Sequence, residues 1–164
     1  MRKLAFLAPL GAVLAVAAGP AMADPAAINV TIGPELQQKA DELGERDVRE
    51  QADRLAEVVR RALAGDNRLD GARIDLILTD LKPNRPTFEQ MAQQPGLDGH
   101  RSISIGGAAI EGSVTTADGE VLPVRYNWFS TSLADVRGHT TWQDADRAYQ
   151  RLATNLVRGR YVSR

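Results

Sequence analysis

The feature that most constrains this chain is a tight turn, Ala117-Asp118-Gly119, set between two segments of alternating polarity. Asp-Gly between alternating arms is a strong hairpin signal, because the two turn positions need a backbone conformation that glycine adopts freely. The arms read Arg101 to Thr116 and Glu120 to Ser130. In the second arm Leu122, Val124, Tyr126 and Trp128 share one face, and Arg125 and Asn127 share the other. In the first arm Ile103 and Ile105 alternate, then Ile110 and Val114 carry the opposite parity. A bulge at Gly106-Gly107 is therefore expected to return them to the same side.

The other elements follow from periodicity. Ile28 to Ile32 alternates with β-branched residues and predicts a strand that ends at Gly33-Pro34. Pro34 to Ala64 has helical spacing, with apolar stripes Leu36, Ala40, Leu43 and then Val48, Ala52, Leu55, Val59. Gly44 lies between them and marks a break. Arg73 to Asp80 predicts a strand with Ile74, Leu76 and Leu78 on one face. Pro83, Pro86 and Pro95 make the stretch from Leu81 to Gly99 irregular, with a short helical turn expected at Thr87 to Met91. Thr141 is expected to open the last helix, with Asp144 in capping-box position and Trp142, Ala145, Tyr149, Leu152 and Leu156 as its buried stripe. The order β-α-β-β-β-α predicts an α+β two-layer sandwich. It has about four mostly antiparallel strands, and both helices cover one sheet face.

The N-terminus predicts export. Arg2 and Lys3 precede an uncharged apolar run from Leu4 to Gly19, and Ala21-Met22-Ala23 has the form of a signal-peptidase site. Residues 1–23 are expected to be a signal peptide cleaved at Ala23-Asp24. That leaves 24–164 as one soluble domain, periplasmic or secreted, with no transmembrane segment. The chain has no cysteine, which excludes disulfides, thiol catalysis and cysteine-ligated metals. A formal net charge of −1 argues against nucleic acid as a partner, since that binding is driven by neutralising phosphates.

Signatures of catalysis are weak. The two histidines, His100 and His139, lack metal-ligand spacing, though either could be imagined with Asp98, Asp135 or Asp144 in a hydrolase. Ser102, Ser104 and Ser113 lie outside any nucleophile motif, and Gly106-Gly107 is too short for a phosphate loop. Asp66 to Gly71 lacks calcium-loop spacing and reads as a polar turn. No cofactor is expected. Arginine far outnumbers lysine, and after residue 3 the only lysines are Lys39 and Lys82. Arg147, Arg151 and Arg158, followed by Arg160 and Arg164, suggest a polar helix face, or a contact for anionic headgroups or an acidic partner.

If both helices cover one side of the sheet, the other side is bare. It is expected to carry Asp75, Ile77 and Thr79, then Ser102 and Ser104, then Arg125, Asn127 and Phe129. This mostly polar face suits a solvated antiparallel sheet. It is also a candidate binding or self-association surface, with Arg125 and Asn127 as polar anchors, Ile77, Phe129 and Asp75 beside them, and the loop from Pro83 to Pro95 as a rim. The expected function is a non-enzymatic binding or scaffolding domain, with an envelope protein or a second copy as partner. A hydrolase using His100 or His139, or a small-ligand carrier with a cavity between the layers, is the alternative.

The layout resembles small exported bacterial proteins classed as domains of unknown function. The features shared are the leader, an early strand, a long helix, the strand Ile74-Asp75-Leu76-Ile77-Leu78-Thr79-Asp80-Leu81, an Asp-Gly hairpin and a terminal amphipathic helix. The resemblance implies the architecture and no catalytic residues.

Overall fold

The computed structural model describes residues 26–136 and 140–162. The expected signal peptide, its cleavage point and His139 lie outside the described residues. One mixed four-stranded sheet is built from β1 (Ala27–Ile32), β2 (Arg73–Lys82), β3 (Gly107–Thr115) and β4 (Val121–Phe129), in that spatial order. β1 runs parallel to β2, and the other two pairings are antiparallel. The parallel pair follows from the helical segment between β1 and β2, since a crossover of that length returns the chain in the same direction.

That segment is three helices: α1 (Pro34–Gln38), α2 (Ala40–Leu43) and α3 (Glu45–Leu63). The break at Gly44 sits at φ 94°, where glycine is favoured. A second break, at Lys39, has no glycine or proline to announce it. The short helix α4 (Phe88–Gln93) follows β2. It carries a complete capping box between Thr87 and Gln90, which satisfies two otherwise orphaned N–H groups. The chain closes with α5 (Gln143–Val157). Helices α3 and α5 pack against each other and against one face of the sheet. The core between the layers holds Leu55, Val59, Ile74, Leu76, Leu78, Ile110, Val114, Tyr149, Leu152 and Leu156, all but inaccessible to solvent.

The hairpin forms, with the Gly119 N–H donating to Thr116 O at 2.9 Å and Gly119 at φ 87°. Its first arm is shorter than expected. Strand β3 begins only at Gly107, so Ile103 and Ile105, with Ser102 and Ser104, lie off the sheet. The bulge also falls elsewhere. The β2–β3 register jumps between Leu78 and Asp80, so Thr79 is the extra residue, and Leu78 and Leu81 both reach the core. The glycines of β3 serve close approach instead. A Cβ on Gly107 would stand 2.2 Å from Trp128 O, and one on Gly106 would stand 2.7 Å from the Asn84 side chain.

Helix α5 also starts later than its sequence suggests. Trp142 occupies the cap position with no side-chain cap. The expected Thr141–Asp144 box is displaced because Asp144 is drawn inward by Asn84.

Candidate functional site

The 83–106 segment organises the described surface, and it is fastened at one buried point. Asn84 is 0% exposed and Asp144 is 1% exposed. The Asn84 Nδ2 donates to Asp144 Oδ2 at 2.6 Å, and the Asp144 N–H donates back to Asn84 Oδ1 at 2.8 Å. A loop residue thus satisfies an N–H of the first turn of α5, the role usually given to a local cap. Arg147 Nη1 donates to Asp144 Oδ1 at 3.0 Å, so the buried carboxylate has a cationic partner. Asn84 also ties the two arms of the segment together: its O accepts the Ser104 N–H at 2.9 Å, and its Nδ2 donates to Ser104 O at 3.2 Å. Arg85 Nη1 reaches Gly99 O at 3.1 Å and also His100 O.

Two open clefts flank the fastened segment. The first has a volume of about 590 Å³. Its apolar lining includes Leu43, Leu81, Pro83, Ile103 and Ile105, and Lys39 and Lys82 also line it. Ile103 and Ile105 are 47% and 39% exposed. Among the described residues, their backbone N–H and C=O groups have no hydrogen-bond partner. Lys39 is held by Asp80 at 2.9 Å. Lys82 has no carboxylate partner among the described residues, and its Nζ lies 5.0 Å from the centre of the Phe129 ring. The second cleft, of about 820 Å³, includes Asp47, Arg85, Phe88, Met91, His100, Trp142 and Asp146 in its lining.

The bare sheet face is where the sequence places it. Cross-strand rows read Asn29–Asp75–Ser113–Pro123 and Thr31–Ile77–Glu111–Arg125, with Ala109 opposite Asn127 and Gly107 opposite Phe129. Glu111 and Ser113 occupy the positions expected for Ser102 and Ser104. The face is laterally engaged. Arg73 Nε donates to Asp75 at 2.7 Å, and Arg125 Nε lies 3.3 Å from Glu111. The hydrogen bond from Arg73, more than that from Asn29, holds the Asp75 carboxyl below its ordinary range. The Phe129 ring covers Gly107, and Ala109, Asn127 and Glu111 lie between it and Ile77. The arginine stripe of α5 is partly engaged as well: exposed Arg151 stacks over the Trp128 ring at 4.4 Å.

Of the residues imagined for a hydrolase, His100 is exposed, and its imidazole has no hydrogen-bond partner among the described residues. Asp98 caps its own turn, accepting the N–H groups of His100 at 2.7 Å and Arg101 at 2.9 Å. Those two bonds hold its carboxyl below the usual range. Asp144 is consumed by Asn84, and Asp135 lies in a separate turn, Leu133–Asp135. Among the described residues no group of three or more histidine and carboxylate side chains is placed to hold a metal, and no helix is long and apolar enough to cross a membrane. The two carboxylates that share a cleft with His100 are Asp47 and Asp146, far apart in sequence, and nothing in the spacing pointed to them.

No family model matches the chain, and no curated protein matches it.

Proposed function

We propose that this protein is a non-catalytic binding domain of the bacterial envelope, exported by its N-terminal leader, and that it captures an extended peptide segment of another envelope protein. The observation that carries this reading is the first cleft, where the unpartnered backbone of Ile103 and Ile105 runs beside an apolar lining. Unpaired N–H and C=O groups next to apolar pockets are the elements of strand addition. Main-chain bonds supply affinity, and alternate side chains supply specificity. Lys82, without a carboxylate partner, favours a segment that carries an acidic side chain beside its apolar ones. The cleft is open rather than enclosed between sheet and helices, which favours a chain segment over a carried small molecule. On the bare sheet face the charged side chains already bond one another and the two apolar residues stand apart, so the cleft is the better site.

Selection of random linear peptides displayed on phage tests this reading. The expected result is enrichment of sequences with alternating apolar residues and an Asp or Glu. Ile103→Ser with Ile105→Ser, or Lys82→Glu, should weaken binding by about tenfold or more. The reading is overturned by an absence of enrichment. It is overturned equally if the selected peptides ignore these substitutions and are instead released by Arg125→Ala with Phe129→Asp, which would move the site to the sheet.

A further inference from the structure

The second cleft has a chemistry that peptide capture leaves unused. Phe88 is 86% exposed. It opens α4, yet the capping box there is made by Thr87 and Gln90, so the ring serves neither the core nor the cap. It shares the cleft with half-buried Trp142 and Met91, and exposed aromatic surface gathered in a concavity marks a binding site far better than a lone surface residue does. Two carboxylates stand beside the rings, and each spends one oxygen internally. Asp47 Oδ1 accepts the Trp142 indole N–H at 3.4 Å, and Asp146 Oδ1 accepts Arg54 Nε at 2.9 Å. Among the described residues, neither Oδ2 accepts a hydrogen bond. Asp146 is paired with Arg54, and Arg85, held by Gly99 O and His100 O, also lines the cleft. What remains is an apolar aromatic platform edged by strong acceptors.

We propose that this cleft binds a saccharide. The C–H face of a pyranose ring lies against Phe88 and Trp142, and its hydroxyls donate to the free oxygens of Asp47 and Asp146. The volume accommodates a short oligosaccharide. Titration of the purified protein with chitotetraose and with maltotetraose, followed by calorimetry and tryptophan emission, tests the assignment, with choline chloride as a cationic comparison. The expected result is saturable binding of at least one sugar, weakened about tenfold or more by Phe88→Ala and by Asp47→Asn, with the circular dichroism of both variants unchanged. Phe88 is so exposed that its truncation leaves folding intact. The proposal is overturned if neither sugar binds, if choline binds and the sugars do not, or if Phe88→Ala binds sugar like the parent. Phe88→Ala should leave peptide capture in the first cleft intact, so failure of either reading is seen separately.

Discussion

Asn84 and Asp144 form a reciprocal pair: the amide nitrogen of one donates to the carboxylate of the other at 2.6 Å, and the amide oxygen takes the backbone N–H of Asp144 at 2.8 Å. They lie 60 residues apart, and both are buried. The pair joins the end of β2 to the start of α5 and sets the position of the segment between the two clefts. A polar contact of this kind is asymmetric in energy. Intact it contributes modestly, and broken it strands a buried charge.

Asn84→Ala is therefore expected to destabilise the fold by about 3 kcal/mol or more, since it removes both bonds and leaves Asp144 with Arg147 alone. Asn84→Asp, which sets two carboxylates together, should cost at least as much. Urea unfolding of both variants measures this. A loss under about 1 kcal/mol, the scale of a typical net hydrogen bond, would show that the pair is not the fastening point.

Two glycines of the hairpin, one within its first strand and one in its turn, should respond very differently to alanine. Gly112 has φ 153°, and a Cβ there would lie 2.1 Å from Asp75 O in the neighbouring strand. Gly112→Ala must push β2 and β3 apart and is expected to cost several times more than Gly119→Ala. Gly119 has φ 87° but open space around it, so its substitution costs only the strain of a left-handed alanine, about 1 kcal/mol. Denaturation midpoints of the two variants, compared directly, check the ranking.

The difference between what was legible in the sequence and what was not has a physical pattern. Local signals were read correctly where local chemistry decides: the Asp-Gly turn, the break at Gly44, and the single apolar faces of β2 and β4. They misled where a distant residue intervenes. Gly106 and Gly107 read as a bulge because glycine in a strand permits one, yet they are small because Asn84 and Trp128 crowd them. The parity change they were meant to explain vanishes because Ile103 and Ile105 lie off the sheet; the bulge that does form is in β2 at Thr79, whose side chain bonds Ala109 O at 3.1 Å and which no local pattern marks. Thr141 and Asp144 had capping-box spacing, but Asn84 outcompetes it. Both clefts are assembled from segments far apart in sequence, so neither had a motif. The exposed pair Ile103 and Ile105, read as strand residues, was the one available hint of the first.

At the acid end, Asp98 gives a testable dependence. Its carboxyl lies below the ordinary 3.8 because it accepts the N–H of His100 first and that of Arg101 second. A folded-state value below the unfolded one means that the contribution is complete above 3.8 and is lost as pH falls through the lower folded value. The carboxyl chemical shift of Asp98 should titrate at a lower pH in the folded protein than in the urea-unfolded chain. The turn it holds leads directly into Ser102–Gly106, so Asp98→Ala should raise amide exchange at Ser102 and Ser104, whose N–H groups donate to Asp98 O and Asn84 O at 2.9 Å, while leaving the sheet protected. Unchanged exchange there would separate the turn from the cleft.

At the alkaline end, Tyr149 is the group to follow. Its phenol is fully buried between α3 and the sheet, with its OH 3.5 Å from Gln51 Oε1. Burial first, and the nearby Asp146 carboxylate second, push its ionisation well above the ordinary 10. The folded state thus resists losing this proton and the unfolded state does not. The resulting stability is whole below pH 10 and declines as pH rises from there toward the raised folded value. In a spectrophotometric phenolate titration Tyr126, shifted upward chiefly by its own burial, should ionise before Tyr149, which should appear only when the protein unfolds. Tyr149→Phe removes the ionisable group but keeps the packed ring. It is expected to lose little stability at neutral pH and to flatten the alkaline decline. A variant that unfolds over the same alkaline range as the parent would assign that transition to another group.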